Sequence, residues 1–311
     1  MHPGTKPLAV LTGPTGTGKT DIALRLAREF PLEIVSVDSA QVYRGLDIGS
    51  AKPDAAVRAA VPHHLIDLVD PADSYSAGRF VRDAADAIAD IESRGRVPLL
   101  VGGTMLYLRA LIGGIATLPQ GSAQLRATLD ADALRIGWPA MHQRLAAVDA
   151  AAAARIHPND AQRIQRALEV HAVGGRPISE LQTVTTPTLA RDFICVALVP
   201  DDRARLHAAL AQRFESMMGA GLLDEVRALY QRGDLSDEKP AIRAVGYRQL
   251  WSHLAGSYSL EVAVDRAMAA TRQLAKRQLT WLRTMPNIQA FDPHDAQSFV
   301  GVRESLTPSF G

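Results

Sequence analysis

The chain has 311 residues, 47% of them hydrophobic and 22% charged, with a formal net charge of +1. This is ordinary globular composition with enough chain for a sizeable core, and it excludes a basic protein that binds nucleic acid through its overall charge. The single cysteine, Cys195, rules out an internal disulfide and a cysteine-based zinc site, so a reducing cytoplasm is expected.

In chain order, "PLAVLTG" predicts a buried strand and "KTDIALRLAREF" a helix, with apolar residues at Ile22, Leu24 and Leu26. No basic-then-apolar leader precedes them and no run of 18 or more apolar residues follows, so neither a signal segment nor a membrane span is expected. "EIVSVDS" predicts a second strand and "HHLIDLVD" a third. "SAGRFVRDAADAIADIESRG" reads as a helix with a serine cap and a glycine stop. "VPLLVGG" and then "TMLYLRALIGG" repeat the strand-to-helix alternation. Alternation of this kind implies a parallel sheet covered on both faces.

The alternation breaks near Gly114, and 118–185 carries helical patterns without a strand candidate. We therefore expect a helical insertion at 118–185 in an α/β core formed by 1–117 and 186–311. "RDFICVALVPD" returns to the sheet, with Cys195 packed in a strand. Helical patterns follow at 203–232, 241–255 and 259–285, then a short strand "NIQAF" and a weakly patterned tail. There is no internal repeat and no low-complexity linker.

Gly13-Pro14-Thr15-Gly16-Thr17-Gly18-Lys19-Thr20 fits G-x-x-x-x-G-K-[ST] between a strand and a helix. Its glycines let successive N–H groups converge on one anion. The helix dipole, the Lys19 charge and a Thr20 hydroxyl for Mg²⁺ complete such a site. The motif specifies a polyphosphate, most often ATP or GTP, without specifying a nucleotide. Asp38, at the end of the second strand, could hold Mg²⁺ through water, act as a general base, or cap a helix. Gly102-Gly103-Thr104 allows close ligand approach and offers a hydroxyl, or forms a turn with a capping threonine.

Other candidates point to RNA or to nothing specific. Arg163 and Arg166 fall three residues apart on one helix face. Arg243 and Arg248 flank a glycine and Tyr247, an aromatic suited to stacking. On the 259–285 helix, Ala263, Ala267, Ala270, Leu274 and Trp281 form an apolar stripe, which makes Trp281 a core residue. Arg272, Lys276 and Arg283 lie on another face, as a phosphate track or a solvated charged face. His63-His64 lacks partners at metal-ligand spacing, and Asp67-x-x-Asp70 does not match the DDxxD pair of helical isoprenoid synthases.

"GPTGTGKT", "DSAQVYRGLDIGSAKP", "PHHLIDLVDPADSYSAGRF", "LLVGGTMLYLRAL", "NDAQRIQRALEV", "RAVGYRQLW" and "TRQLAKRQLTWLR" together resemble the tRNA dimethylallyltransferase (IPP transferase) family over residues 8–285. The chain lacks the cysteines for the zinc finger of the eukaryotic members, so it resembles the bacterial type. The resemblance implies a P-loop NTPase-like parallel sheet flanked by helices, with a helical insertion domain contacting tRNA. It implies that the loop holds the diphosphate of dimethylallyl diphosphate rather than ATP, with Mg²⁺ on Thr20. The five-carbon group would pass to N6 of adenosine 37 in tRNAs reading codons that begin with U. Catalytic roles then fall to Asp38 as general base, Thr104 beside the target adenosine, and Arg213 on the diphosphate.

The implied tRNA contacts comprise Asp38, Ser39, Ala40 and Gln41; Thr104; Arg126; and Gln162, Arg163, Ile164, Gln165 and Arg166. They continue with Arg243, Ala244, Val245, Gly246, Tyr247 and Arg248, then Lys276, Arg277, Gln278, Leu279, Thr280, Trp281, Leu282 and Arg283. The expected partner is the tRNA anticodon stem-loop, the expected state a cytoplasmic monomer. An adenylate isopentenyltransferase would share the loop and Asp38 without needing the long insertion. A P-loop nucleotide kinase or an NTP-driven RNA-binding protein would instead turn over ATP.

Overall fold

The computed structural model describes residues 6–311 apart from 117, 120 and 184–187. It divides into two compact units, Met1–Ile112 with Leu189–Gly311, and Gly113–Thr188. The boundaries expected at 117/118 and 185/186 fall on or beside residues outside the described set.

The first unit is built on one parallel sheet. Its strands are β1 (Leu8–Thr12), β2 (Leu32–Val37), β3 (His63–His64), β4 (Val97–Gly102), β5 (Phe193–Leu198) and β6 (Ile288–Phe291). Their order across the sheet is β3-β2-β4-β1-β5-β6. In register, Val10 lies between Leu100 and Cys195, and Thr12 between Gly102 and Ala197. Alternate strand residues enter different cores, which explains why these strands read as unbroken apolar runs. Leu8, Val10, Val35, Val37, Leu100, Cys195 and Ala197 belong to one. Ala9, Leu11, Ile34, Leu99, Val101, Val196 and Leu198 belong to the other.

Helices α1 (Lys19–Glu29), α2 (Ala55–Ala60), α3 (Ala77–Ser93) and α4 (Met105–Gly113) connect the early strands. Phe80, Val81, Ala84, Ile88 and Ile91 of α3 and Leu108 and Leu111 of α4 enter the first core. The expected Ser76 cap is present, its Oγ accepting the Arg79 N–H at 3.1 Å.

The second unit contains α5 (Ala123–Ile136), α6 (Trp138–Val148), α7 (Ala150–Ala153), α8 (Ala161–Gly174) and α9 (Ile178–Leu181), with no strand among its described residues. Its own core joins Met141, Leu145, Ala152, Ile164, Ala167 and Val170. Asp149 ends α6 and caps α7 through the Ala152 N–H, while its other oxygen accepts the Ser179 N–H at 2.9 Å.

The first unit resumes with α10 (Arg203–Gly219), α11 (Leu222–Tyr230), α12 (Tyr247–Leu254), α13 (Leu260–Leu282) and α14 (Ser298–Leu306). Among the described residues no helix is long and apolar enough to cross a membrane.

Four expectations about elements need correction. The third strand stops after His64, because Leu65 and Asp67 are left-handed at φ 62° and 57°. Asp67 is held by Lys52 at 2.6 Å and Arg58 at 2.8 Å, and Val69 only bridges to Tyr43. The 203–232 helix breaks at Gly221, which adopts φ 99°. The 241–255 helix begins at Tyr247, after Gly246 at φ 91°, whose N–H is capped by the Gln249 side chain. The tail, only weakly patterned in sequence, forms α14: Val302, Leu306 and Phe310 close the second core, Phe310 against Phe30 at 4.8 Å.

Candidate active site

Strand β1 delivers the phosphate loop, and Thr12 Oγ1 ties its end to the Gly102 carbonyl at 2.9 Å. Gly13, Gly16 and Gly18 adopt φ 145°, 82° and 75°, conformations that side chains disfavour. The Pro14 carbonyl accepts hydrogen bonds from Thr17 Oγ1 at 2.9 Å and Lys19 Nζ at 2.7 Å. The loop therefore curls around its own lysine, and α1 begins at that residue with its N-terminus open to an anion. Burial, and then the neighbouring Arg213 guanidinium, push the Lys19 ammonium down to about 7, against the pull of Asp38. Arg213 of α10 is lowered by burial and supported by Asp38 and Asp21. Two half-buried cations side by side suit a multiply charged anion.

The neighbouring strand ends carry the polar groups of the opposite wall. Asp38 follows β2, and its Oδ1 accepts the N–H groups of Ala40 at 2.8 Å and Gln41 at 3.2 Å. Among the described residues Oδ2 makes no hydrogen bond, so it can take a proton from a ligand. The Gln41 amide accepts from Ser36 Oγ at 2.9 Å and donates to the Ser50 and Ala51 carbonyls, each at 3.3 Å. Thr104 follows β4, and its Oγ1 accepts the Ser39 N–H at 3.1 Å. The two strand ends approach so closely that a Cβ on Gly102 would lie 2.2 Å from the Val37 carbonyl oxygen.

These groups line one cavity of about 710 Å³. Lys19, Thr20, Asp38, Thr104 and Arg213 supply its polar surface; Phe214, Met217, Leu274 and Trp281 supply apolar wall. Such a mixture suits a ligand with an anionic head and a hydrocarbon tail. Thr20, Asp21 and Asp38 add hard oxygen donors. Among the described residues no group of three or more His, Cys, Asp or Glu could hold a metal. A magnesium ion would fit here only as one that shares the ligand's phosphate oxygens and keeps its water, the usual habit of Mg²⁺.

Ser39, Ala40 and Gln41 line the same cavity, as do Arg243, Ala244, Val245, Gly246 and Arg277. Arg248, Lys276, Thr280 and Arg283 are exposed. Four residues of the sheet unit expected at an RNA surface are placed elsewhere. Tyr247 is fully buried, and its hydroxyl donates to Glu225 Oε1 at 2.5 Å, so it cannot stack on a base. Leu282 lies in the first core, and Leu279 packs on Leu206, Leu210 and Ala275. Gln278 is buried and bonded to the phosphate loop. Trp281, expected in the core, is half-buried; it packs on the core and also walls the cavity, with Arg109 over its ring at 5.5 Å. Glu225 went unnoticed in the sequence, yet it accepts the N–H groups of Asp47, Ile48 and Gly49 at 3.0, 2.8 and 3.2 Å.

In the helical unit, Ile164 is core, while Gln162 and Arg163 are exposed. Gln165 donates to Asp130 at 2.6 Å, and Arg163 approaches Asp160 at 3.4 Å. Arg126 and Arg166 both bind the buried Glu169, each at 2.7 Å. Burial raises the Glu169 pKa, but the hydrogen bonds of Arg166 and Arg126 outweigh it and leave the group below the usual range. The signal for Glu169 was the Arg166–Glu169 spacing, an i,i+3 pair.

The profile of the IPP transferase family matches residues 41–285, and that of isopentenyl transferases matches 6–61. The chain belongs to the IPP transferase family. A tRNA dimethylallyltransferase of Paraburkholderia phymatum is 56% identical over 292 residues, covering 92% of each chain. One of Alkalilimnicola ehrlichii is 55% identical over 290 residues, covering 93% of this chain and 92% of its own. Among solved structures, the tRNA isopentenylpyrophosphate transferase of Bacillus halodurans matches with a TM-score of 0.72 and 35% identity, over 98% of this chain and 97% of its own. A eukaryotic dimethylallyltransferase acting on tRNA matches with a TM-score of 0.81 and 28% identity, over 97% of this chain and 78% of its own. Those members share the P-loop NTPase-like sheet, so the phosphate loop and Asp38 stand within a prenyl-transfer family rather than a kinase family.

Proposed function

We propose that this chain transfers the dimethylallyl group of dimethylallyl diphosphate to N6 of adenosine 37 in tRNAs that read codons beginning with U. The products are N6-(dimethylallyl)adenosine and diphosphate. The observation that carries this reading is the convergence of Lys19, Arg213 and Asp38 on one half-apolar cavity.

The C1–O bond of the donor breaks as N6 bonds to C1. The electron pair leaves with the diphosphate, while positive charge spreads over the allyl group. Lys19, Arg213 and the N–H groups of the phosphate loop stabilise that departing charge, which is greater in the transition state than in the ground state. Phe214, Met217, Leu274 and Trp281 give the hydrocarbon a wall and reduce the access of water to the allyl cation. The exocyclic amine is a weak nucleophile because its lone pair is delocalised into the ring. Asp38 accepts its proton through Oδ2. Thr104 orients the adenine beside it. Magnesium, if carried in with the diphosphate beside Thr20, would neutralise part of its charge.

The acceptor base must leave its stack to enter the cavity, which costs least in a single-stranded loop. The anticodon stem-loop is therefore the proposed partner. Arg243, Arg277, Lys276 and Arg283 are its proposed phosphate contacts on the sheet unit; Arg126, Arg163 and Arg166 are those on the helical unit. The enzyme acts as a monomer in the cytoplasm. The deciding experiment is nucleoside mass spectrometry after incubation with dimethylallyl diphosphate and either unmodified tRNA or AMP. Dimethylallyladenosine in tRNA alone is expected. Product from AMP alone, or ATP turnover without prenyl transfer, would overturn the assignment.

A further inference from the structure

Helix α13 turns a stripe of Thr271, Leu274, Gln278 and Trp281 toward the cavity. Gln278 is 9% exposed and makes hydrogen bonds in two directions. Its Oε1 accepts the Thr15 N–H at 3.0 Å, and its Nε2 donates to the Gly103 carbonyl at 2.8 Å. Both bonds have good length. The fit is close: a Cβ on Gly103 would lie 2.5 Å from Gln278 Nε2 and 3.0 Å from the Gly13 carbonyl oxygen. One amide thus joins the loop that holds the leaving group to the strand end that carries Thr104.

We infer that Gln278 is a positioning residue for prenyl transfer, fixing the phosphate loop against the Thr104 strand end so that donor and acceptor meet at a set distance. The inference rests on the diphosphate-holding role proposed above for the loop. An amide is suited to this task because it donates and accepts at once without charge. Lysine or arginine could not accept from Thr15. An ionised glutamate could not donate to Gly103, and its charge would oppose the bound anion. A protonated glutamate could do both. With the Thr15 N–H bonded to Gln278, it is the later N–H groups of the loop that the proposed anion would meet.

The experiment compares inorganic pyrophosphate binding, by calorimetry with Mg²⁺, for the full-length protein, Gln278→Met and Gln278→Glu across acidic to neutral pH. Gln278→Met should bind roughly tenfold more weakly than wild type, the scale of one or two net hydrogen bonds. Gln278→Glu should be at least as impaired at neutral pH, and its deficit relative to wild type should shrink as the solution is acidified. Taking the ratio to wild type cancels the titration of pyrophosphate and of the groups common to all three proteins. If Gln278→Met does not fold, the pH dependence of Gln278→Glu decides alone. Both variants within twofold of wild type, or a glutamate deficit that acid does not relieve, would overturn the inference. Wild-type protein that fails to bind pyrophosphate would overturn the functional reading itself, and this inference with it.

Discussion

Asp38 Oδ1 accepts the backbone N–H of Ala40 at 2.8 Å, so the carboxylate is oriented by the loop that it begins. One oxygen is structural; the other makes no hydrogen bond among the described residues and is the one proposed to take the proton. Asparagine can keep the first role while losing the second. Asp38→Asn should therefore retain donor affinity and the fold, while turnover falls by roughly 10²–10⁴-fold, the range for general base catalysis. Single-turnover rates with saturating tRNA measure this directly. A rate near wild type would remove the base assignment.

Lys19 gives the donor site a pH dependence of definite sign. Its folded pKa is lowered from 10.5 to about 7, so the free enzyme loses this charge as pH rises through about 7. A bound diphosphate restores the ammonium. Donor binding should then take up close to one proton at about pH 8.5 and little at about pH 6, and affinity should fall by up to about tenfold per pH unit above 7. Calorimetry with dimethylallyl diphosphate in buffers of different ionisation enthalpy reports the uptake. Lys19→Arg, which stays charged, should show none. A flat affinity without proton uptake would mean that Lys19 is already charged in the free enzyme or does not meet the phosphates. The same depressed pKa makes folding stability rise with pH between about 7 and 10.5, because only the unfolded chain then holds the proton.

The basic residues proposed to meet RNA should differ in their salt signatures. Lys276 is exposed and has no ion-pair partner among the described residues, whereas Arg166 is bound to Glu169 at 2.7 Å. Lys276→Ala should weaken all substrate tRNAs alike and lower the slope of log affinity against log salt by roughly 0.7–0.9. Arg166→Ala should change the slope less, because its charge is already compensated. Filter binding across a salt series distinguishes the two, and donor affinity should stay constant in both. An unchanged slope for Lys276→Ala would return α13's basic row to a solvated charged face.

The parts of the site that could be read from the sequence are those whose chemistry is local. The phosphate loop needs glycine where φ is positive and a lysine at a helix start, so eight consecutive residues specify it. Asp38 and Thr104 were legible because parallel sheets bring strand ends together. Gln278 was not: a glutamine in a basic helix carries no mark of the peptide groups it will meet. Tyr247 failed for the opposite reason, since an aromatic beside arginines looks like a stacking platform until Glu225 claims its hydroxyl. The strand expected through Asp67 failed because Lys52 and Arg58 hold its carboxylate in a left-handed turn, a partnership that hydrophobic patterning does not register.

Thr15 and Gln278 are separated by 263 residues, and Gly103 and Gln278 by 175. Long-range closures of this kind form late, after shorter loops have closed. During synthesis the glycine-rich segment leaves the ribosome well before the helix that steadies it. A nascent chain would already display the motif while its Thr15 amide still lacked this partner. Competence to grip the donor would thus wait for α13, and for the strand β6 that follows it and completes the edge of the sheet.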